Sequence, residues 1–239
     1  MNTTIIIPAY NPGEELEKVV DRVWDFGSQV ILVDDGSNQP NKELFERLSE
    51  KAIVLHHDKN LGKGAAIKTA LRYIKGNLWD CDVIGVMDAD GQHLPEDMEK
   101  LVMRAGGTEH ALFLGVRDVG KSMPLRSRIG NAITRAVFRL RSGVRVSDTQ
   151  TGLRAFQRDL LEPFLSREGT RYEYETNVLL YCAKKKIPII EVPIKTIYHD
   201  RKNSCSHFHM IRDSIRIYRE LFLHKECAFS ENKAKRGIA

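Results

Sequence analysis

The chain has 239 residues, 42% of them apolar and 29% charged, with only 17 Gly and 8 Pro. That composition supports a buried core and excludes disordered, collagenous and low-complexity classes. The formal charge of +5 is not shared along the chain: residues 1–200 hold 28 basic and 28 acidic side chains, residues 201–239 hold 9 and 4.

No stretch approaches the roughly 18 uninterrupted apolar residues of a membrane-spanning helix. The start, MNTTIIIPAYNPGEE, lacks the basic and apolar regions of a signal peptide. Cys81, Cys182, Cys205 and Cys227 are scattered and form no CxxC, which predicts reduced thiols and a cytoplasmic protein.

In chain order, apolar runs at 3–7, 29–33, 52–55, 83–87 and 111–116 predict short buried strands. Leu16, Val19, Val20, Val23 and Trp24 recur at helical spacing and predict the core face of a helix. Further helices are expected over 41–50, 62–74 and 95–104. This alternation implies an α/β fold with a mainly parallel sheet and helices on both faces. Beyond Gly120, Ile129, Ile133, Ala136, Val137 and Leu140 mark a helix over about 124–141. Residues 144–156 are of mixed character, 173–185 are again helical, and 187–197, with two prolines, reads as an edge strand. Phe208, Ile211, Ile215, Tyr218 and Phe222 give a terminal amphipathic helix. Residues 1–200 are thus expected to form the catalytic domain, with 201–239 a basic helix and tail of the same domain.

Four motifs fall at strand ends, where ligands bind in such sheets. In Asp88-Ala89-Asp90-Gly91-Gln92-His93, two carboxylates flank one small residue. They can share a divalent cation, and hard oxygen donors suit Mg²⁺ or Mn²⁺. Asp34-Asp35-Gly36-Ser37 can accept hydrogen bonds from a ribose or base, or simply form a turn. Pro8-Ala9-Tyr10-Asn11 can stack a base on Tyr10, or cap a strand. Asn60-Leu61-Gly62-Lys63-Gly64 opens a helix, whose free N–H groups and Lys63 suit an anion. It is neither a Walker A loop nor G-x-G-x-x-G. Seven acidic residues and no Lys or Arg lie between Asp80 and Glu99; eight basic residues and one acidic residue lie between Arg117 and Arg145. An acidic block followed by a basic block suits a site that handles a cation and phosphates together.

Taken in order, PAYN, VDDGS, NLGKG and DADGQH resemble the nucleotide-diphospho-sugar (GT-A) fold of family 2 glycosyltransferases. Gly115-Val116-Arg117, the stretch DTQTGLRAF from Asp148, Tyr172-Glu173-Tyr174-Glu175 and Glu191-Val192-Pro193-Ile194 resemble one branch, the dolichyl- or polyprenyl-phosphate mannose or glucose synthases. The resemblance spans about 3–223. It implies that Asp88 and Asp90 hold the metal, with Gln92 as a third ligand. It implies that Pro8, Tyr10, Glu14, Asp35, Lys63, Asp88 and Ala89 line the donor. Arg117 and Arg128 match residues that hold phosphates and complete the catalytic set with Asp88 and Asp90. Arg201 or Lys202 falls in a basic stretch that closes over the site in relatives.

The implied reaction is an inverting, metal-dependent transfer of a hexose from a UDP-glucose-type donor or GDP-mannose to a polyprenyl or dolichyl phosphate. The alternative acceptor is a glycan or other hydroxyl, whose proton would fall to Asp148, Glu173 or Glu175. The Gln-x-x-Arg-Trp motif of polymer-building relatives is missing, which argues against polymer synthesis. The membrane helices that often follow the catalytic domain in relatives are missing too. A peripheral position at the inner face of the membrane is therefore expected, with room for a separate membrane-protein partner. No nucleic-acid motif accompanies the basic end.

Overall fold

A computed structural model describes residues 1–107, 110–117 and 125–195, with the side chains of 125–129 excepted. The expected terminal helix, Arg201, Lys202 and the side chain of Arg128 lie outside the described residues. The elements run β1 (Thr3–Ala9), α1 (Glu15–Asp25), β2 (Gln29–Asp34), α2 (Lys42–Leu48), β3 (Ile53–His56), α3 (Lys63–Asn77), β4 (Val83–Val86) and α4 (Pro95–Gly106). Then come β5 (Leu112–Arg117), α5 (Leu125–Ser142), β6 (Arg154–Gln157), α6 (Leu161–Leu165), α7 (Glu173–Lys185) and β7 (Ile189–Ile194).

The seven strands form one sheet in the order β3-β2-β1-β4-β6-β5-β7. β1 pairs in parallel with both β2 and β4, and β2 in parallel with β3. The central strands are apolar on both faces because both are covered. Ile6, Ile31, Ile84 and Leu112 belong to one core cluster, with residues of α3, α6 and α7. Ile5, Ile7, Leu32 and Phe113 belong to the other, with residues of α1, α2 and α4. Adjacent residues of β1 enter opposite clusters because successive strand side chains point to opposite faces. The chain steps outward from β1 to β3 and then crosses to β4 on the other side of β1. The carboxyl ends of β1 and β4 therefore flank the crevice where such sheets take ligands.

Three features differ from expectation. The segment of mixed character contains β6, which enters antiparallel between β4 and β5 and keeps those two strands from pairing. Four residues, Arg-Ala-Phe-Gln, are too short for a periodic signal. Trp24, expected on the core face of α1, is 47% exposed, while Leu16, Val19, Val20 and Val23 are buried. Trp24 sits in the last turn of α1, at the edge of the buried stripe. α5 is a helix as expected, but it buries Asn131, Thr134 and Phe138 and turns Ile133 and Leu140 outward. The expected edge strand is β7, which among the described residues pairs only with β5, in parallel, and carries Pro193 within it.

Candidate active site

The ends of β1 and β2 are laced together before any ligand is considered. Asp35 N–H donates to Ala9 C=O at 2.8 Å. Asn11, in the left-handed region at φ 45°, donates its N–H to Ser37 Oγ at 2.8 Å and accepts from Asn38 N–H at 2.8 Å. Asp34 accepts from Ser37 N–H at 2.8 Å, closing the turn. Asp35 is buried and accepts from Leu61 N–H and Gly62 N–H, each at 2.8 Å, with His57 Nδ1 2.8 Å from the same oxygen that Leu61 uses. Asp35 therefore braces the turn into α3. A nucleoside contact at this residue must share a carboxylate that already holds protein groups. Pro8 is buried at the β1 end, Tyr10 is half-buried and Glu14 is exposed at the start of α1.

The α3 start is not the open anion cradle that its sequence suggested. Ala65 N–H donates to Thr170 C=O at 2.8 Å, so the loop before α7 plugs the helix end. Gly62 has φ +104°, and a Cβ there would fall 2.6 Å from Thr170 C=O; only glycine permits this approach. Lys63 turns inward instead. Its ammonium lies 2.6 Å from Asp88 Oδ1 and 3.1 Å from Glu175 Oε2. Arg154 backs Glu175, donating from Nη1 to its backbone carbonyl at 2.8 Å, with Nε 3.6 Å from Oε1. His93 Nε2 is 3.7 Å from Asp88 Oδ2, and His93 Nδ1 is buried with no hydrogen-bond partner.

Two neighbouring carboxyls are driven in opposite directions. Burial alone would raise Asp88, but the charge of Lys63 and the hydrogen bond and charge of His93 outweigh it and hold Asp88 well below the usual carboxylate range. Burial and then the Asp88 charge push Asp90 up, against a hydrogen bond from Gln92 N–H at 3.0 Å. Lys63 is raised: burial opposes its charge, and Asp88 and Glu175 more than offset that. Ala89 is half-buried between the two aspartates, and Gln92 is buried beside them.

The donor set can be tested against a divalent cation. Among the described residues, no three His, Cys, Asp or Glu side chains form a complete metal cage. Mg²⁺ and Mn²⁺ do not require one: one or two carboxylates suffice when substrate phosphates supply the remaining oxygens. Asp88 and Asp90, adjacent enough for the charge of one to raise the other, fit such a partial set.

Arg117, at the end of β5, makes a forked pair with Asp148: Nε to Oδ2 at 2.6 Å and Nη2 to Oδ1 at 3.0 Å. Asp148 is 0% exposed and also accepts from Asn131 Nδ2 at 3.1 Å and Gln150 N–H at 3.0 Å. Four residues on, a Cβ at Gly152 would fall 2.1 Å from Asp88 Oδ2. The stretch 148–154 thus ties the Arg117 guanidinium, the Asp88 carboxylate and, through Arg154, Glu175 into one framework. The three candidate bases are all engaged by protein groups, though Glu173 Oε2 and Glu175 Oε1 are buried with no hydrogen-bond partner. Asp148 is locked by Arg117 and Asn131. Glu173, the first residue of α7, accepts from Thr170 and Arg171 N–H at 3.0 and 3.1 Å and so holds the loop that leads into the helix. Glu175 is paired with Lys63. Sequence reasoning gave no role to Gly152, Arg154 or Asn131, because their partners Asp88, Glu175 and Asp148 lie well away from them in the chain.

Residues 4–165 match the sequence profile of the family described as glycosyl transferase family 2. The UDP-N-acetylglucosamine–dolichyl-phosphate N-acetylglucosaminyltransferase of Methanococcus voltae is 33% identical over 215 residues, covering 81% of this chain and 85% of that protein. The polyprenol monophosphomannose synthase of Mycolicibacterium smegmatis is 30% identical over 210 residues, covering 80% and 76%. Among solved structures, glucosyl-3-phosphoglycerate synthase from Mycobacterium tuberculosis, in complex with Mn²⁺, UDP and glucosyl-3-phosphoglycerate, superimposes with a TM-score of 0.64. It is 19% identical, and the match covers 92% of this chain and 79% of that one; the likeness is one of fold.

Proposed function

This chain belongs to glycosyl transferase family 2 and is related to the dolichyl-phosphate sugar transferases; we propose that it moves a hexose or N-acetylhexosamine, with inversion, from a nucleotide-diphospho-sugar to a polyprenyl or dolichyl phosphate. One observation carries the choice of acceptor. Asp148 is sealed from solvent by Arg117 and Asn131, and the oxygens that Glu173 and Glu175 leave without a partner are themselves buried, so none of the bases considered for a hydroxyl acceptor presents an open oxygen to it. A phosphate monoester needs none. With a second pKa of about 6 it already carries its nucleophilic charge near neutral pH.

The other roles follow from position. Pro8, Tyr10 and Glu14 border the crevice where the nucleoside would sit, with Asp35 bracing its floor. Asp88 and Asp90 would hold Mg²⁺ or Mn²⁺, with Gln92 beside them and Ala89 against the donor. Such an ion, when bound, supplies positive charge against the departing diphosphate. Lys63 adds a fixed cation on the same side, held in place by Glu175. Arg117, oriented by Asp148, presents a planar guanidinium suited to phosphate oxygens, and Arg128 is assigned the same task by position in the sequence. Among the described residues no helix is long and apolar enough to cross a membrane, so the lipid phosphate would be met from the membrane surface.

The test is a donor screen, with UDP-N-acetylglucosamine, UDP-glucose and GDP-mannose each offered with a polyprenyl phosphate and Mn²⁺, following nucleoside diphosphate release. Release that requires the polyprenyl phosphate is expected. Asp90→Asn, which keeps the size but removes one charged ligand, should lower kcat by about 10²–10³, the scale of losing one electrostatic stabiliser. Transfer to a glycan hydroxyl without any lipid phosphate would refute the acceptor. Near-normal turnover of Asp90→Asn in EDTA would refute the metal.

A further inference from the structure

The ends of β2 and β3 each carry a doubled polar residue, Asp34-Asp35 and His56-His57. The two strands pair in parallel with Asp34 opposite His56, and His57 N–H donates to Asp34 C=O at 2.9 Å. Each histidine therefore lies beside one aspartate. The first pair, His56 Nδ1 and Asp34 Oδ2 at 3.0 Å, is at the surface, with the His56 side chain 58% exposed. The second pair is sealed: the His57 side chain is 7% exposed and that of Asp35 4%. His57 Nδ1 lies 2.8 Å from Asp35 Oδ1, and Nε2 lies 2.9 Å from Thr69 Oγ1 on α3. Both ring nitrogens are thus engaged, which fixes the tilt of the ring. A carboxylate only accepts, so Nδ1 carries the hydrogen, and the Thr69 hydroxyl serves Nε2 from behind.

Asp35 has little acceptor capacity left for a ligand. The two oxygens of a carboxylate offer about four lone-pair sites. Oδ1 takes Leu61 N–H and His57 Nδ1–H, and Oδ2 takes Gly62 N–H. One site, on Oδ2, stays open, and one open acceptor suits one donor. Uracil presents a single ring donor, N3–H, between two carbonyl oxygens. Guanine presents two donors side by side, N1–H and the N2 amine, which a carboxylate meets with both oxygens. Against Asp35 as His57 leaves it, guanine N1–H would take Oδ2, and the amine would face a filled Oδ1 and lie buried without a partner.

We propose that His57, held by Thr69, is a positioning residue of the donor site and makes that site select a uridine donor over a guanosine one. His57 touches no substrate. It acts by occupying Oδ1, so that Asp35 reads one N–H and not a pair. The inference rests on Asp35 lining the nucleoside subsite, as in the proposed function, and names the base which that reading leaves open.

The experiment is calorimetric titration of the full chain with UDP, GDP and inosine diphosphate, each with Mn²⁺. The three share ribose and diphosphate, so ratios of their dissociation constants isolate the base. Inosine diphosphate is GDP without the N2 amine, and it controls for the size of a purine. Wild type should bind both UDP and inosine diphosphate about tenfold or more tighter than GDP, the scale of one buried donor left unpaired. His57→Phe keeps the bulk of the ring and removes its donor, so Oδ1 opens to the amine and the preference over GDP should shrink to within about threefold. His57→Asn, whose amide nitrogen falls near the place of Nδ1, should restore the wild-type ratios. Thermal melting checks that each variant folds. A merely structural histidine would weaken all three nucleotides alike and leave the ratios unchanged. The proposal is overturned if wild type binds GDP as tightly as UDP or as inosine diphosphate, a comparison that needs no variant. It is equally overturned if folded His57→Phe keeps the wild-type ratios, or if folded His57→Asn behaves as His57→Phe does. If no nucleotide binds, the donor reading itself fails and takes this inference with it; binding with the wrong ratios sinks the inference alone.

Discussion

A methyl group at position 152 would fall within 2.6 Å of all three terminal atoms of Asp88. Gly152→Ala is thus a way to move the Asp88 carboxylate without altering its charge. The added carbon cannot retreat, because Gly115 N–H donates to Leu153 C=O at 2.9 Å and pins the next residue. The variant is expected to fold, to melt within a few degrees of wild type and to lose about 10²-fold in kcat/KM, the cost of roughly 1 Å of misplacement. Wild-type kinetics for a folded Gly152→Ala protein would show that the approach to Asp88 has no role in catalysis. The D-x-D pair is legible in sequence because its spacing and its position after an apolar run are local. The demand on Gly152 is not local: it arises from a carboxylate in the loop after β4, 64 positions earlier in the chain, and glycine in a loop has ordinary explanations. The same holds for Asp35. Its place after β2 was readable, but its use as an acceptor for Leu61 and Gly62 N–H depends on where the chain returns.

At the scale of elements, periodicity locates a helix better than it orients one. α1 reads correctly over Leu16 to Val23, and only Trp24 leaves the stripe. Leu16→Ala should cost about 2–5 kcal/mol as a fully buried truncation. Trp24→Ser should stay within about 0.5 kcal/mol as a surface change. Denaturant unfolding of the two variants checks this, and a large loss at Trp24 would contradict its exposure. α5 shows the opposite case. Its apolar spacing is helical, yet the buried side is chosen by the hydrogen bonds of Asn131 to Asp148 and Thr149, which outrank apolar burial once Asp148 is sealed from water. The first five strands were legible because each is an apolar run bounded by turn residues. β6 was not, since its pairing with β4 and β5 is imposed by the sheet and not by its own four residues.

At the scale of the molecule, ligand and proton linkage act on the same pair of aspartates. Binding of Mn²⁺ with UDP should stabilise the fold by about 2.7 kcal/mol at 100 times the dissociation constant, and Asp90→Asn should lose most of that gain. The pH dependence has two signs. Asp90 is raised in the fold, so without metal its charged form is a cost present above its folded value and relieved as pH falls through it. With Mn²⁺ and UDP the same protonation removes a ligand, so the ligand-induced gain shrinks over that interval. The window runs from the raised value of Asp90 down to the ordinary aspartate value, and Asp88, held well below that, titrates outside it. Thermal shifts across that window, with and without Mn²⁺ and UDP, should diverge; parallel curves would dissociate the metal from Asp90.

The insertion of β6 between β4 and β5 also sets a timetable for biosynthesis. β4 gains its partner on one side, β1, as soon as it is made, but its other edge pairs only with residues 154–157. The ribosome must first deliver α4, β5 and the whole of α5, and at about 5–20 residues per second that takes several seconds. Through that interval a half-finished sheet presents a bare row of N–H and C=O groups, a template for strands of other chains. The nascent protein therefore depends on folding factors, or on low synthesis rates, at one definable length. Stalled chains ending near residue 150 should engage chaperones more than chains that have cleared residue 190.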